Sequence, residues 1–492
     1  MNCDTNNANL PSITEDILTG SNILVDNLFA DVWKKCRMQT LLNRAGFNKR
    51  SGTPASEVVF ILLLWVWLKM NSIGMFSRES ILTFSQARKD VMYDFLKRED
   101  LNWRTLHAQT AKQIYNQHQL DKSKFRALVL DDSVKQRRGK HMEGVSRHFD
   151  HLTKRTVMGH QVLTLGYATE AVFLPLDSDI YISQKDAQGL KKPFKDGRSV
   201  AAKRYSAAKK MTKPEQARGM VKRASKLGFE ADYLLADAWF GNKTTIRLAY
   251  SECLTAILRM KKDKTYYRIT EYHRGKTVTK QMNAQELYKQ SVRNNWQKLD
   301  GIPIQAIPLD VELNLAESDN KPEQWVKVRL LFVRGTASTE KSKVGKHDWA
   351  LFLSMDTTLT PQQILEIYGL RWGIEVYFKE AKQHLGLLKE QTKSFASHIA
   401  SIHLTAIRFC MLVYEKLNQA ESRVCDIRHI LAKQLNTLDN AKQLWNLFKN
   451  LIVGALNDLE EQLGGIKDEV LKIIETRIHG FFLQVLQLNT LT

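Results

Sequence analysis

Two short apolar runs in this chain each finish on carboxylates. Ala-Leu-Val-Leu at 127–130 runs into Asp131 and Asp132, and Tyr-Leu-Leu-Ala at 233–236 runs into Asp237. Runs of this length, branched and closed by polar loops, predict strands buried on both faces. An ionised side chain is costly inside such a sheet, so each strand has to surface where its acids begin. The pattern constrains the fold to an α/β sheet that presents carboxylates at strand tips.

The neighbouring segments fill in the class. Residues from about 20 to 120 carry helical spacing, with a break at Asn71-Ser72-Ile73-Gly74. Within them the apolar stretch Val58–Leu68 falls short of the roughly 20 residues that cross a bilayer. Thr53 as N-cap, Pro54 at the first helical position and Glu57 in the first turn make it a core helix. Tyr93, Leu96, Arg98, Asn102, Trp103 and Arg104 lie close in sequence, as a helix-turn-helix would arrange them, and helix packing explains the aromatics equally well. Gln161–Tyr167 and Glu170–Pro175 read as a hairpin after the first acidic strand, and alternating segments between 255 and 355 as a β-rich insertion. After Thr360 the spacing is helical to the end. The expected organisation is a helical N-terminal domain (1–120) that binds DNA, an α/β core in two parts (121–254 and 356–392) around the insertion (255–355), and a helical C-terminal region (393–492) available for dimerisation.

Of 492 residues, 73 are Lys or Arg and 52 Asp or Glu, a formal net charge of +21 that points to a polyanionic partner. Residues 185–226 hold 14 Lys and Arg against three acids, more than half of that excess in under a tenth of the chain. Such a run is usually a solvated face. Its concentration here favours phosphate tracking, with Lys203, Arg204, Lys209 and Lys210 as contacts. The five cysteines are scattered, with no zinc or redox spacing, and His141, His148, His151 and His160 fit no zinc pattern. The polar start lacks a secretory pattern, so the expectation is a soluble intracellular chain with no membrane role.

A second helix start, Thr360-Pro361-Gln362-Gln363, has the form of a capping box. Counting from it at about 100° per residue, Tyr368, Arg371, Glu375 and Lys382 fall near 0°, 300°, 340° and 320°, on one face. Glu366 and Glu380 point elsewhere. A carboxylate among cations and a phenol suits phosphate chemistry: Arg371 and Lys382 grip DNA oxygens, Tyr368 donates to another, and Glu375 ligates a hard cation.

The spacing Tyr-x2-Arg-x3-Glu-x6-Lys, beside two strand-end aspartates, resembles the signature of the IS4 family of bacterial DDE transposases. The resemblance covers about residues 125 to 390. It implies an α/β fold with a ribonuclease H-like catalytic core, and a catalytic and metal-binding triad of Asp132, Asp237 and Glu375. Asp132 is preferred because it precedes Ser133, with Asp131 as the alternative. Three carboxylates of this kind hold two Mg²⁺ ions about 3.5–4 Å apart, and Mn²⁺ can substitute.

The resemblance further implies a cut-and-paste reaction: nicking at transposon ends, a hairpin intermediate, and joining of the freed 3′ end to target DNA. The partners would be double-stranded DNA and a second copy of the chain, a homodimer in the synaptic complex. The setting would be a bacterial cytoplasm, close to the nucleoid. Trp349 stands where the family places a base-stacking Trp, and packing in the insertion is its other role. Trp372 is expected to support the helix. The competing functions are a metal-dependent nuclease without strand transfer and a non-catalytic protein that occupies DNA ends.

Overall fold

The computed structural model describes residues 28–459, apart from 50, 69–71, 86, 140, 151–153, 185, 274–275, 292–295, 318–320, 336–348 and 420–421, together with 466, 468–474 and 477. His151 lies outside the described residues.

Among the described residues seven helices come first: α1 (Leu28–Lys35), α2 (Met38–Arg44), α3 (Ala55–Leu64), α4 (Ile73–Glu79), α5 (Ile81–Phe84), α6 (Lys89–Leu96) and α7 (Trp103–Gln117). The apolar stretch Val58–Leu68 is buried throughout, as a core helix apolar all round must be. Its helix begins one residue later than expected: Pro54, φ −55°, is itself the N-cap of α3. Ser72 ends the break by capping α4, its hydroxyl accepting the Met75 N–H at 3.1 Å.

Twelve strands among the described residues form one mixed sheet: β1 (Ala127–Gln136), β2 (Ser146–Asp150), β3 (Arg155–Ala168), β4 (Phe173–Tyr181), β5 (Tyr233–Ala236), β6 (Thr255–Met260), β7 (Tyr266–His273), β8 (Lys276–Asn283), β9 (Gln297–Lys298), β10 (Ile304–Asn314), β11 (Trp325–Gly335) and β12 (Ala350–Ser354). The order is β2-β3-β1-β5-β6-β12-β11-β10-β7-β8, with β4 on β3 and β9 on β10. β1, β5 and β6 run parallel, and β3 is antiparallel to both β1 and β4. The expected hairpin is β3–β4. The stretch 255–355, read as an insertion apart from the α/β core, instead continues the same sheet: β6 pairs with β5, and β12 closes against β6 and β11.

Helices α8 (Val200–Lys210) and α9 (Lys213–Lys226) connect β4 to β5, α10 (Lys243–Ser251) connects β5 to β6, and α11 (Ala284–Ser291) follows β8. After the sheet come α12 (Pro361–Gly369), α13 (Trp372–Gln383), α14 (Phe395–Asn418) and α15 (Val424–Asp458). α14 is long and apolar enough to cross a membrane, yet its apolar window is entirely buried. It packs on α7 and β4, which gives it a structural reason to be apolar on every side.

Candidate active site

The first acidic pair does not sit at a strand tip. β1 runs through Asp131 and Asp132 to Gln136, paired all the way with β3. Its parallel ladder with β5 stops at Leu130 opposite Ala236. Asp131 and Asp237 are therefore the next positions along two neighbouring strands, at the point where β5 leaves the sheet and opens β1 on that side.

Strand alternation sends Asp131 and Asp132 to opposite faces. Arg371 Nη1 donates to Asp131 Oδ2 at 3.3 Å, and Arg371 Nη2 donates to Glu375 Oε1. One guanidinium thus joins a carboxylate of β1 to a carboxylate of α13. Asp132 meets other partners: Gln161 Nε2 donates to its Oδ1 at 2.8 Å, and Lys213 Nζ to its Oδ2 at 2.6 Å. Asp132, preferred as the first ligand on the identity of the following residue, is thereby occupied by a lysine and an amide, and Asp131 keeps company with Asp237, Arg371 and Glu375.

Asp237 accepts the backbone N–H groups of Trp239 at 2.9 Å and Phe240 at 3.3 Å, both through Oδ1. These bonds fix the loop that follows β5. The capping box at Thr360 forms as expected, the Thr hydroxyl accepting from the Gln363 N–H at 3.2 Å and the Gln363 side chain accepting the Thr360 N–H at 2.9 Å.

The signature residues are split between two helices rather than sharing one. α12 ends at Gly369 and α13 begins at Trp372, while Leu370 (φ −58°, ψ −24°) and Arg371 (φ −58°, ψ −26°) keep right-handed helical backbone. Here the bonds tighten to three-residue spacing, from the Arg371 N–H to the Tyr368 carbonyl at 3.0 Å and from the Gly373 N–H to the Leu370 carbonyl at 3.2 Å. The Arg371 guanidinium stands 5.6 Å from the centroid of the Tyr368 ring, which packs edge-on against Phe352. Gly373 sets the depth of α13: a Cβ there would lie 2.6 Å from Phe173 Cβ on β4. Two residues on, Glu375 is carried to Arg371.

Burial, then the charges of Asp237 and Asp132, push the Asp131 carboxyl up to about 7, against a smaller pull from Arg371. Burial lowers the Lys382 ammonium, as does Lys135 beside it, while Asp150, Asp131 and Asp132 pull the other way. The basic groups nearby do not fully offset the crowding of carboxylates at Asp131. Hard oxygen donors under mutual repulsion are the set a divalent cation takes. Among the described residues no three His, Cys, Asp or Glu side chains stand close enough to hold a metal ion together. Glu375 is linked to Asp131 through Arg371 rather than directly.

Several expected DNA contacts lie elsewhere. Arg204 is 5% exposed and bonds to Asp179, the Ser178 carbonyl and His403, so it is a structural cation and not a DNA contact. Lys203, Lys209 and Lys210 on the same helix are exposed. Trp349, 9% exposed, stacks on Tyr288 at 4.3 Å and 14° beneath the Lys262 ammonium, which is the packing role. Trp372 is 65% exposed and does not support its helix by packing. Trp103 is buried against Phe47 and Phe95, Arg104 pairs with Asp177 and Asp179, and Asn102 caps α7, so the aromatics and polar groups of this segment serve packing. His160 is buried against His398, and His148 bonds to Ser146 at 2.8 Å.

Sequence reasoning passed over Gln161, Lys213 and Trp239. The signal for Trp239 was its position two residues beyond Asp237. Lys213 was counted only as one charge in the basic run.

Asp131 and Asp237 thus stand side by side where the parallel ladder ends, and Arg371 ties Asp131 to Glu375 on the following helix. Residues 73–308 match the family described as DDE superfamily endonuclease. The matched DDE region contains Asp131, Asp132 and Asp237 and ends before Glu375. The match supports a DDE-type nuclease domain that acts on DNA with divalent metal ions. No curated protein matches the chain.

Proposed function

We propose that this chain is a DNA transposase of the IS4 type, with Asp131, Asp237 and Glu375 as its metal-binding carboxylates. The observation that carries the reading is the Arg371 guanidinium shared between Asp131 and Glu375, with Asp237 at the adjacent strand position. The order β4-β3-β1-β5-β6, with β3 antiparallel to its neighbours and the other three central strands parallel, supports a ribonuclease H-like core.

Bound divalent ions, with Mg²⁺ the natural choice and Mn²⁺ a substitute, would supply charge to polarise the phosphate and acidify the attacking hydroxyl. The Asp131 carboxyl, raised to about 7, would offer its oxygens to such an ion once its proton is lost. Arg371, released from Glu375, turns its fork of donors to a phosphate, and Lys382 adds a point charge beside it. The Tyr368 hydroxyl donates to another phosphate oxygen. In-line displacement needs no covalent protein intermediate, so no protein nucleophile is required.

Two ends must be processed together, which calls for a homodimer in a synaptic complex. The route is cut-and-paste through a hairpin, in a bacterial cytoplasm at the nucleoid. The description of the matched family, an endonuclease, favours a second reading in which the chain cuts without strand transfer. Incubation with target plasmid and a pre-cut end bearing a free 3′-hydroxyl separates the two. Joined product that needs Mg²⁺ and Glu375 is expected; cleavage of uncut ends with no joined product would leave only the nuclease.

A further inference from the structure

We infer that Trp239 is a stacking platform for an unpaired nucleobase at the DNA strand end, an inference that rests on the nuclease reading of the adjoining carboxylates. The indole is 38% exposed, although it follows a buried strand and precedes Phe240, which is 1% exposed. An aromatic ring of this size left open to solvent forfeits burial that its neighbours obtain.

The loop that presents it is fixed at both ends. Asp237 Oδ1 accepts the Trp239 N–H at 2.9 Å, so the backbone of the indole is tied to a carboxylate of the site. Phe240 packs edge-on against the indole at 4.6 Å and anchors it to the core. Gly241 passes so close to β6 that a Cβ would lie 1.9 Å from the Arg259 carbonyl oxygen. The plate is therefore held in one place before any ligand arrives, which reduces the ordering cost of stacking.

Its surroundings suit a nucleotide. The buried Lys213 ammonium sits over the ring at 4.0 Å from its centroid and is held there by Asp132 at 2.6 Å, while Lys261 lies over the ring at 5.7 Å and leaves room beneath it. A base on the exposed part of the indole would bring its own phosphate towards the exposed Lys261, the combination of aromatic surface and cation that single strands require. Trp349, the aromatic that spacing favoured, is covered by Tyr288 and cannot offer a face in this arrangement.

The test uses the full chain and two DNA probes, a blunt duplex and a duplex ending in an unpaired strand with 2-aminopurine at its first unpaired position. Binding is read by anisotropy and stacking by quenching of 2-aminopurine, with Ca²⁺ to prevent cutting. Wild type should quench the probe. Trp239→Ala should remove the quenching and weaken overhang binding about tenfold to a hundredfold, the usual worth of one base–aromatic stack. Its blunt-duplex binding should stay within about twofold, and Trp239→Phe should restore most of the effect. A merely structural role would weaken both probes together, and that result overturns the inference. Quenching that survives Trp239→Ala, or that is lost only in Trp372→Ala, overturns it too while leaving the nuclease reading intact. Failure of the wild type to bind either DNA would overturn both readings.

Discussion

Asp131 and Asp132 are adjacent and nearly equally shielded, with side chains 17% and 16% exposed. Their partners separate them. Because the Asp131 carboxyl is raised from 3.8 to about 7, the folded state holds a proton there that the unfolded state has lost. The stability that this group contributes is present below pH 4 and is lost as the pH rises towards 7. Asp131→Asn, which mimics the protonated form, should therefore stabilise the metal-free protein at pH 8 by about 1–3 kcal/mol and do little at pH 4. Thermal melts in EDTA at both pH values check this; a variant less stable than wild type at pH 8 would mean that the Arg371 contact outweighs the crowding. The two acids were legible in the sequence as a pair. Which one turns towards Asp237 was not, because alternation fixes only that they diverge and the identity of the next residue does not set the face.

At the scale of elements, α8 shows how a charge run divides on folding. The basic composition of 185–226 was plain, but Asp179 on β4, 25 positions before Arg204, takes that arginine into the core. Arg204→Ala should cost about 1–3 kcal/mol, since it removes buried bonds to Asp179 and the Ser178 carbonyl while Arg104 still pairs with Asp179. Replacing Lys203, Lys209 and Lys210 together by Ala should leave the melting temperature within a few degrees and reduce the salt slope of DNA binding by up to about one per lost contact. Salt titrations and melts of the two variants distinguish the roles, and an unchanged slope would count against phosphate tracking by α8. The signature segment gives a second case. Spacing puts Tyr368, Arg371, Glu375 and Lys382 on one continuous helix and does not show the break at Leu370–Arg371, because the backbone there stays helical and only the bonding pattern changes.

For the whole molecule, the α/β class, the strands that carry the acids and the β3–β4 hairpin could be read from apolar runs and their turns. The joining of 255–355 into one sheet could not, because β12 returns to β6 across some ninety residues of intervening chain and no local pattern encodes that pairing. That return places α12 and α13 directly after the strand beside β6, and so carries Glu375 back to β1. This convergence, we propose, makes a metal-dependent phosphodiester-cutting site out of Asp131, Asp237 and Glu375. Its most direct measurement is nicking of a supercoiled plasmid carrying the element's own ends, in Mg²⁺ or EDTA, by wild type, Asp131→Asn, Asp132→Asn and Glu375→Gln. Nicking should be abolished by EDTA, fall at least about a hundredfold in Asp131→Asn and Glu375→Gln with DNA binding retained, and largely survive in Asp132→Asn. Nicking that persists in EDTA, or that is lost in Asp132→Asn and kept in Asp131→Asn, would contradict the proposal.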